Sequence, residues 1–92
     1  SSAASDVYKR QGKKPIQRNA ILALAHFNEE SAIPELKEVA LNDPRPMIRG
    51  TAYWAIGQIQ GEDAKAFINE NYEKEIEEVQ VEMKKGLDMR RD

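Results

Sequence analysis

A thirteen-residue stretch of this chain occurs twice. The segment from Pro15 to Phe27 returns 32 positions later as the segment from Met47 to Ile59. Matched pairs include Ile16 with Ile48, Ala20 with Ala52, Ala23 with Ala55, Leu24 with Ile56 and Phe27 with Ile59. Ala32 and Leu36 return at the same offset as Ala64 and Ile68. A period of this length is that of stacked helix pairs, in which no pair buries its own apolar face and each leans on its neighbours. The chain is therefore predicted to be all-α, part of an α-solenoid. Such a surface binds, or serves an enzyme of which it is one part.

The residues from Ser1 to Gln11 lie outside the pattern. Codon by codon, they match the in-frame translation of a common transposon-based sequencing adaptor. Segments of that kind are set aside before a fold is considered. Residues 1–11 are expected to be non-native and disordered. Residues 12–92 are expected to form the repeat domain, truncated on its N-terminal side.

Helical spacing organises the remainder into about five helices. Pro15 sits near the first helix start, where its missing N–H costs little. Ile16, Ala20, Ala23, Leu24 and Phe27 form that helix's expected buried stripe. The run Asn28-Glu29-Glu30 breaks it. Ser31 is a candidate N-cap for a second helix, with Pro34 in its first turn, and Ile33, Leu36, Val39 and Ala40 give its apolar face. It ends near Asn42. Asp43-Pro44-Arg45-Pro46 then interrupts, since a proline biases the residue before it away from helix, and Asp43 can cap the next helix. That third helix is predicted over 46–59, with Ile48, Ala52, Ala55, Ile56 and Ile59 inward. Gly61 suits a left-handed C-terminal position. A fourth helix is predicted over 62–72 with Ala64, Phe67 and Ile68. A fifth is predicted over 74–89 with Ile76, Val79, Met83 and Leu87 inward. The small residues Ala20, Ala23, Ala52, Ala55 and Gly57 let helices approach closely. These features are those of short HEAT-like repeats.

Composition removes several functions. Without cysteine, the chain offers no disulfide and no thiolate metal site. Its apolar stretches are too short to span a bilayer, and no secretory signal is visible. Charge is uneven. Residues 12–51 carry six Lys/Arg against five Asp/Glu, whereas residues 52–92 carry six against ten. The acidic second half argues against non-specific nucleic-acid binding along the whole length, so an anionic partner must meet a local basic rim.

Such a rim is implied by the repeat. Second helices of stacked pairs run parallel, so their N-termini share an edge, about 10 Å apart. Lys13, Lys14 and Arg18 lie at one start, and Arg45 and Arg49 at the next. Helix N-termini already favour anions. These five cations are the candidate phosphate contacts, unless they serve as solubilising charge or as internal ion pairs, such as Arg49 with Asp43. Gln17 and Asn19 are candidate polar contacts beside them. Tyr53 and Trp54 are candidates either for packing between helices or for stacking on an unpaired RNA base. His26, the one histidine, is read as a surface residue at a helix C-terminus. Glu73, Glu75, Glu77, Glu78 and Glu82 are read as a solvated charged face. No catalytic residue and no metal ligand is assigned.

The Gln17-Arg18-Asn19-Ala20 step with the following Leu22-Ala23-Leu24-Ala25-His26-Phe27, and the string from Asp43 to Gly57, resemble the C-terminal HEAT-like region of the bacterial epoxyqueuosine reductase family. The resemblance extends over residues 12–92 and is strongest over 12–61. It implies a larger cytoplasmic, monomeric parent that reduces epoxyqueuosine to queuosine in the tRNA anticodon loop. Cobalamin and two 4Fe–4S clusters are implied for that parent's N-terminal catalytic part, and no cofactor for this segment, which by itself would be inactive. The tRNA anticodon stem-loop is the implied partner. Two other readings stay open: a HEAT-repeat scaffold that binds protein without enzymatic activity and, more weakly, a lyase-like repeat protein acting on bilins.

Overall fold

Local chemistry sets where each helix begins and ends in the computed structural model, which describes residues 15–88. Five α-helices lie among these residues: α1 (Arg18–His26), α2 (Ile33–Asn42), α3 (Pro46–Gln60), α4 (Lys65–Tyr72) and α5 (Glu77–Leu87). Short 3-10 turns, Glu30–Ala32 and Gly61–Ala64, lead into α2 and α4. The disorder expected for residues 1–11 lies outside the described residues.

The α1 helix starts at Arg18, so Pro15 precedes the helix rather than opening it. It ends in a Schellman arrangement. The Glu29 N–H donates to the Leu24 carbonyl at 2.9 Å and the Asn28 N–H to the Ala25 carbonyl at 3.0 Å. Asn28 takes the left-handed conformation this requires, with φ 53°, which asparagine tolerates better than most residues. Ser31 does not cap α2. It lies inside the 3-10 turn and its hydroxyl donates to Glu29 Oε2 at 2.6 Å. Pro34 and Pro46 occupy first-turn positions, where no intrahelical N–H is lost. Gly61 follows α3 with φ 56°, a positive value that glycine adopts without steric cost.

The helices form two layers. The second-type helices α1, α3 and α5 lie side by side, and α2 and α4 cover them. The α3 helix is central, packed most extensively on α5, then on α2 and α1. Ile48, Ala52, Ala55, Ile56 and Ile59 are all buried as the repeat predicts, as are Ile33, Leu36, Val39 and Ala40 of α2. Ala64, Ile68, Val79 and Met83 complete the same core.

The first helix departs from its predicted stripe. Its buried residues are Ile21 and Ala25, with Ile16 and Leu24 partly covered. Ala20 and Ala23 are exposed, and Phe27 is 72% exposed. The matched positions mark the side of a second-type helix turned toward the elements before it. In α3 that side is covered by α1 and α2. In α1 none of the described helices covers it. Ile76 also differs, being 50% exposed at the N-cap of α5 rather than inward.

Glycines set the α3–α5 distance. A Cβ built on Gly57 would lie 2.7 Å from the Gly86 carbonyl oxygen and 2.8 Å from its Cα. Both obstacles are backbone and cannot rotate aside. Gly57→Ala is therefore expected to force the helices apart and to lower stability by about 2–3 kcal/mol. Denaturant unfolding of the two proteins would measure it, and an unchanged midpoint would refute the close crossing.

Candidate nucleic-acid interface

The predicted rim lies where the second-type helices begin, and two of its arginines are tied into one chain of contacts there. Asp43 ends α2 and is 4% exposed. Its Oδ1 accepts from the Arg45 N–H and from Arg45 Nε, both at 2.9 Å, and its Oδ2 accepts from Arg45 Nη2, also at 2.9 Å. Asp43 thus braces the turn before α3 instead of capping a first-turn N–H. The same Arg45 Nη2 donates to the Ile16 carbonyl at 2.8 Å, reaching the start of α1. One turn later, Arg49 Nη1 donates to the Asp43 carbonyl at 3.0 Å. Arg49 Nε and Nη2 grip Glu75 Oε2 and Oε1 at 2.8 and 3.0 Å, just ahead of α5. Side-chain exposure is 17% for Arg49 and 11% for Glu75.

Charge states reflect these contacts. Burial opposes the charge on Asp43, but the hydrogen bonds from Arg45 and the nearby charges of Arg45 and Arg49 outweigh it. They hold the Asp43 carboxyl below its ordinary value. The Glu75 hydrogen bond raises Arg49 despite its partial burial. Burial, with the Glu75 charge, pushes the Tyr53 phenol up to about 12, against the opposing Arg49 charge.

The predicted contacts therefore separate into groups. Lys13 and Lys14 lie outside the described residues. Arg18, Gln17 and Asn19 are exposed at the start of α1. Arg45 and Arg49 direct their donors to acceptors within the chain. Glu75 leaves the solvated face assigned to it and becomes Arg49's partner, while Glu73, Glu77 and Glu78 remain exposed. Tyr53 is 1% exposed, with its ring 5.7 Å from that of Phe67. It is a core residue and has no open face for a base. Trp54 is only partly buried.

Trp54 lines an open groove across the three second-type helices. One part, about 200 Å³, is bounded by Arg18, Leu22, Thr51, Trp54, Glu82 and Lys85. The adjoining part, about 290 Å³, adds Pro46, Met47 and Glu78. The two share Arg18, Thr51 and Glu82. Residue types alone do not single out Leu22 and Lys85 for this groove. The repeat carries the signal, since Leu22 is 32 positions before Trp54 and Lys85 is 31 after it. Lys85 also pairs with Glu82 at 3.3 Å. Among the described residues, no group of three or more His, Cys, Asp or Glu side chains could hold a metal ion. No described helix is long and apolar enough to cross a membrane. His26 is exposed at the end of α1, edge-on to Phe27 at 4.8 Å.

Comparison with known proteins matches residues 3–81 to the family described as HEAT repeats. An epoxyqueuosine reductase of Staphylococcus aureus (strain NCTC 8325 / PS 47) is 73% identical over 82 residues, 89% of this chain and 22% of the relative. An epoxyqueuosine reductase of Bacillus subtilis (strain 168) is 55% identical over 80 residues, 86% of this chain and 21% of the relative. The chain thus spans about a fifth of the length of the curated relatives it matches. A crystal structure of epoxyqueuosine reductase with a tRNA-Tyr epoxyqueuosine-modified tRNA stem loop is similar at TM-score 0.74 and 46% identity. That match covers 95% of this chain and 26% of the other.

The edge contacts generate two expected outcomes. Glu75→Gln removes the charge facing a largely buried guanidinium, and is expected to cost about 2–3 kcal/mol in urea unfolding. A change under about 0.5 kcal/mol, as for an exposed pair, would contradict the geometry. Asp43 has a lowered folded pKa, so the unfolded chain binds its proton first as pH falls. Its stabilisation is complete above the ordinary value of 3.8 and is lost as pH drops through the folded value. Asp43→Asn is expected to be less stable near neutral pH and to have a shallower acid limb as pH falls below the ordinary carboxylate value.

Proposed function

The chain belongs to the HEAT-repeat family, and we propose that it forms the tRNA-contacting part of an epoxyqueuosine reductase. The observation that carries this reading is the likeness to the reductase crystallised with a tRNA stem loop, at 46% identity over 95% of this chain. The activity of the longer protein is the reduction of epoxyqueuosine to queuosine in the tRNA anticodon loop. The partner is the anticodon stem-loop, met in the cytoplasm by a monomeric parent joined to its catalytic part. That activity calls for cobalamin and two 4Fe–4S clusters, and the clusters do not fit the residues here. This chain has no cysteine to ligate a cluster, so cluster binding belongs to the remainder of the longer protein. Residues 1–11 are proposed to be adaptor-derived and to play no part.

The contacts are assigned by what each side chain has left to give. Arg18 is exposed, carries no ion pair among the described residues, and borders the groove. With Lys13 and Lys14 it supplies charge for backbone phosphates, which positions RNA without reading its sequence. Gln17 and Asn19 add hydrogen-bonding groups at the same helix start. Trp54 offers a partly exposed ring for one unpaired base, with Lys85 beside it. Arg45 and Arg49 act indirectly, by fixing the relative positions of the helix starts.

The test uses the longer protein and an anticodon stem-loop. Arg18→Glu is expected to weaken binding and to lower the slope of log affinity against log salt by about 0.7–0.9 for each phosphate no longer neutralised. Arg49→Glu is expected to lower thermal stability as well as affinity. If Arg18→Glu changes neither affinity nor slope, the RNA rim is wrong and a protein-binding scaffold becomes the better reading.

A further inference from the structure

We propose that Glu82, with Lys85 beside it, reads the Watson–Crick edge of the base stacked on Trp54 and selects guanine there. The inference deepens the RNA reading above and rests on it.

Trp54 and Leu22 bring apolar surface to the same part of the groove, the one of about 200 Å³. Stacking on such a surface tolerates any base, because every base has a π-face. Selection must come from the polar groups around it. Thr51 gives its hydroxyl proton to the Met47 carbonyl at 2.8 Å, so toward the groove it can only accept. Glu82 is the charged acceptor, and it lines both parts of the groove.

The place of Glu82 is set by α3. Its stem lies over Gly50, where a Cβ would come within 3.0 Å of Glu82 Cγ and 3.2 Å of its Cβ. The bare glycine lets the stem approach this closely. Lys85 holds Oε2 at 3.3 Å, with side-chain exposure of 59% for Lys85 and 35% for Glu82. An exposed pair of this kind is weak. Among the described residues no other hydrogen bond or ion pair engages Glu82.

A carboxylate accepts through both oxygens and is matched best by two parallel N–H donors. Guanine alone among the four bases offers these on its Watson–Crick edge, at N1 and at the 2-amino group. Its O6 lies next to them as an acceptor for the Lys85 ammonium. On adenine and cytosine a ring-nitrogen lone pair would face the carboxylate, and on uracil a carbonyl oxygen would. Each puts repulsion in place of a hydrogen bond.

The experiment measures binding of the longer protein to anticodon stem-loops in which each unpaired nucleotide in turn is guanosine or inosine. Inosine keeps N1–H and O6 and lacks the 2-amino donor. At one position guanosine is expected to bind about tenfold more tightly. Glu82→Gln keeps the shape of the side chain. It is expected to abolish that preference and to weaken the guanosine stem-loop, although it removes a negative charge from a surface that meets RNA. The proposal is overturned if no position shows a preference that depends on Glu82. It is overturned equally if Glu82→Gln tightens every stem-loop, which would make Glu82 a repelling charge only. Arg18→Glu judges the RNA rim separately. Affinity lost in Arg18→Glu, with no preference that depends on Glu82, would keep the rim and remove the base reading.

Discussion

The Arg49–Glu75 pair is the interaction on which the shape of the groove depends. It joins the start of α3 to the turn before α5 through two parallel hydrogen bonds of 2.8 and 3.0 Å. A partly buried ion pair is only as good as its geometry, because desolvation of both charges opposes it. Here the third arm of the guanidinium is also used, on the Asp43 carbonyl. Asp43 in turn holds Arg45, and Arg45 reaches Ile16. Three helix starts are thus tied in order. At the far end, Gly57 meets Gly86 with no room for a Cβ. A pin at each end of the α3–α5 crossing fixes both spacing and tilt, and hence where Trp54 and Lys85 stand.

The repeat made most of the fold legible, and it did so unevenly for a physical reason. Periodicity reports which residues are apolar, not which side has a neighbour. For α3, enclosed by α1, α2 and α5, the two coincide. For α1 they do not, and Phe27 and Ala23 lie open while Ile21 and Ala25 carry the packing. Ile76 misleads in the same way, being apolar but used to enter α5. The aromatic pair could have been resolved from spacing alone. Tyr53 lies four residues before Gly57 and so shares the side of the helix that meets neighbours. Trp54 follows Met47 and Thr51 on the groove side.

That the arginines gather at helix starts was legible, but what each of them holds was not. Clustering cations at helix starts agrees with the structure for Arg18 on α1 and for Arg45 and Arg49 at the start of α3. What it lacked was the acceptor for each cation. Proximity in sequence suggested Asp43 as the ion-pair partner of Arg49, but the Asp43 carboxylate takes Arg45 and Arg49 reaches only the Asp43 carbonyl. Glu75 lies 26 residues after Arg49, beyond the rest of α3 and all of α4. Contacts between successive repeats need not follow the repeat, so a residue type at one position carries no signal about its partner at another.

Electrostatics then orders the groove from one side to the other. Arg18 stands on the α1 side, while Glu78 and Glu82 stand on α5, with Lys85 offset by its own pairing to Glu82. Fields from exposed charges fade over about 8–10 Å in physiological salt, a distance comparable to the helix spacing. Glu82 lines both parts of the groove together with Arg18, so a phosphate is favoured on the outer side of Arg18, away from the α5 carboxylates. Under the proposed function, the RNA backbone runs along the α1 edge and only base atoms reach across α3. On that proposal the Trp54 ring would meet a base rather than a phosphate. It also reconciles a chain of net negative charge with a polyanionic partner, because attraction is needed along one edge rather than over the whole surface.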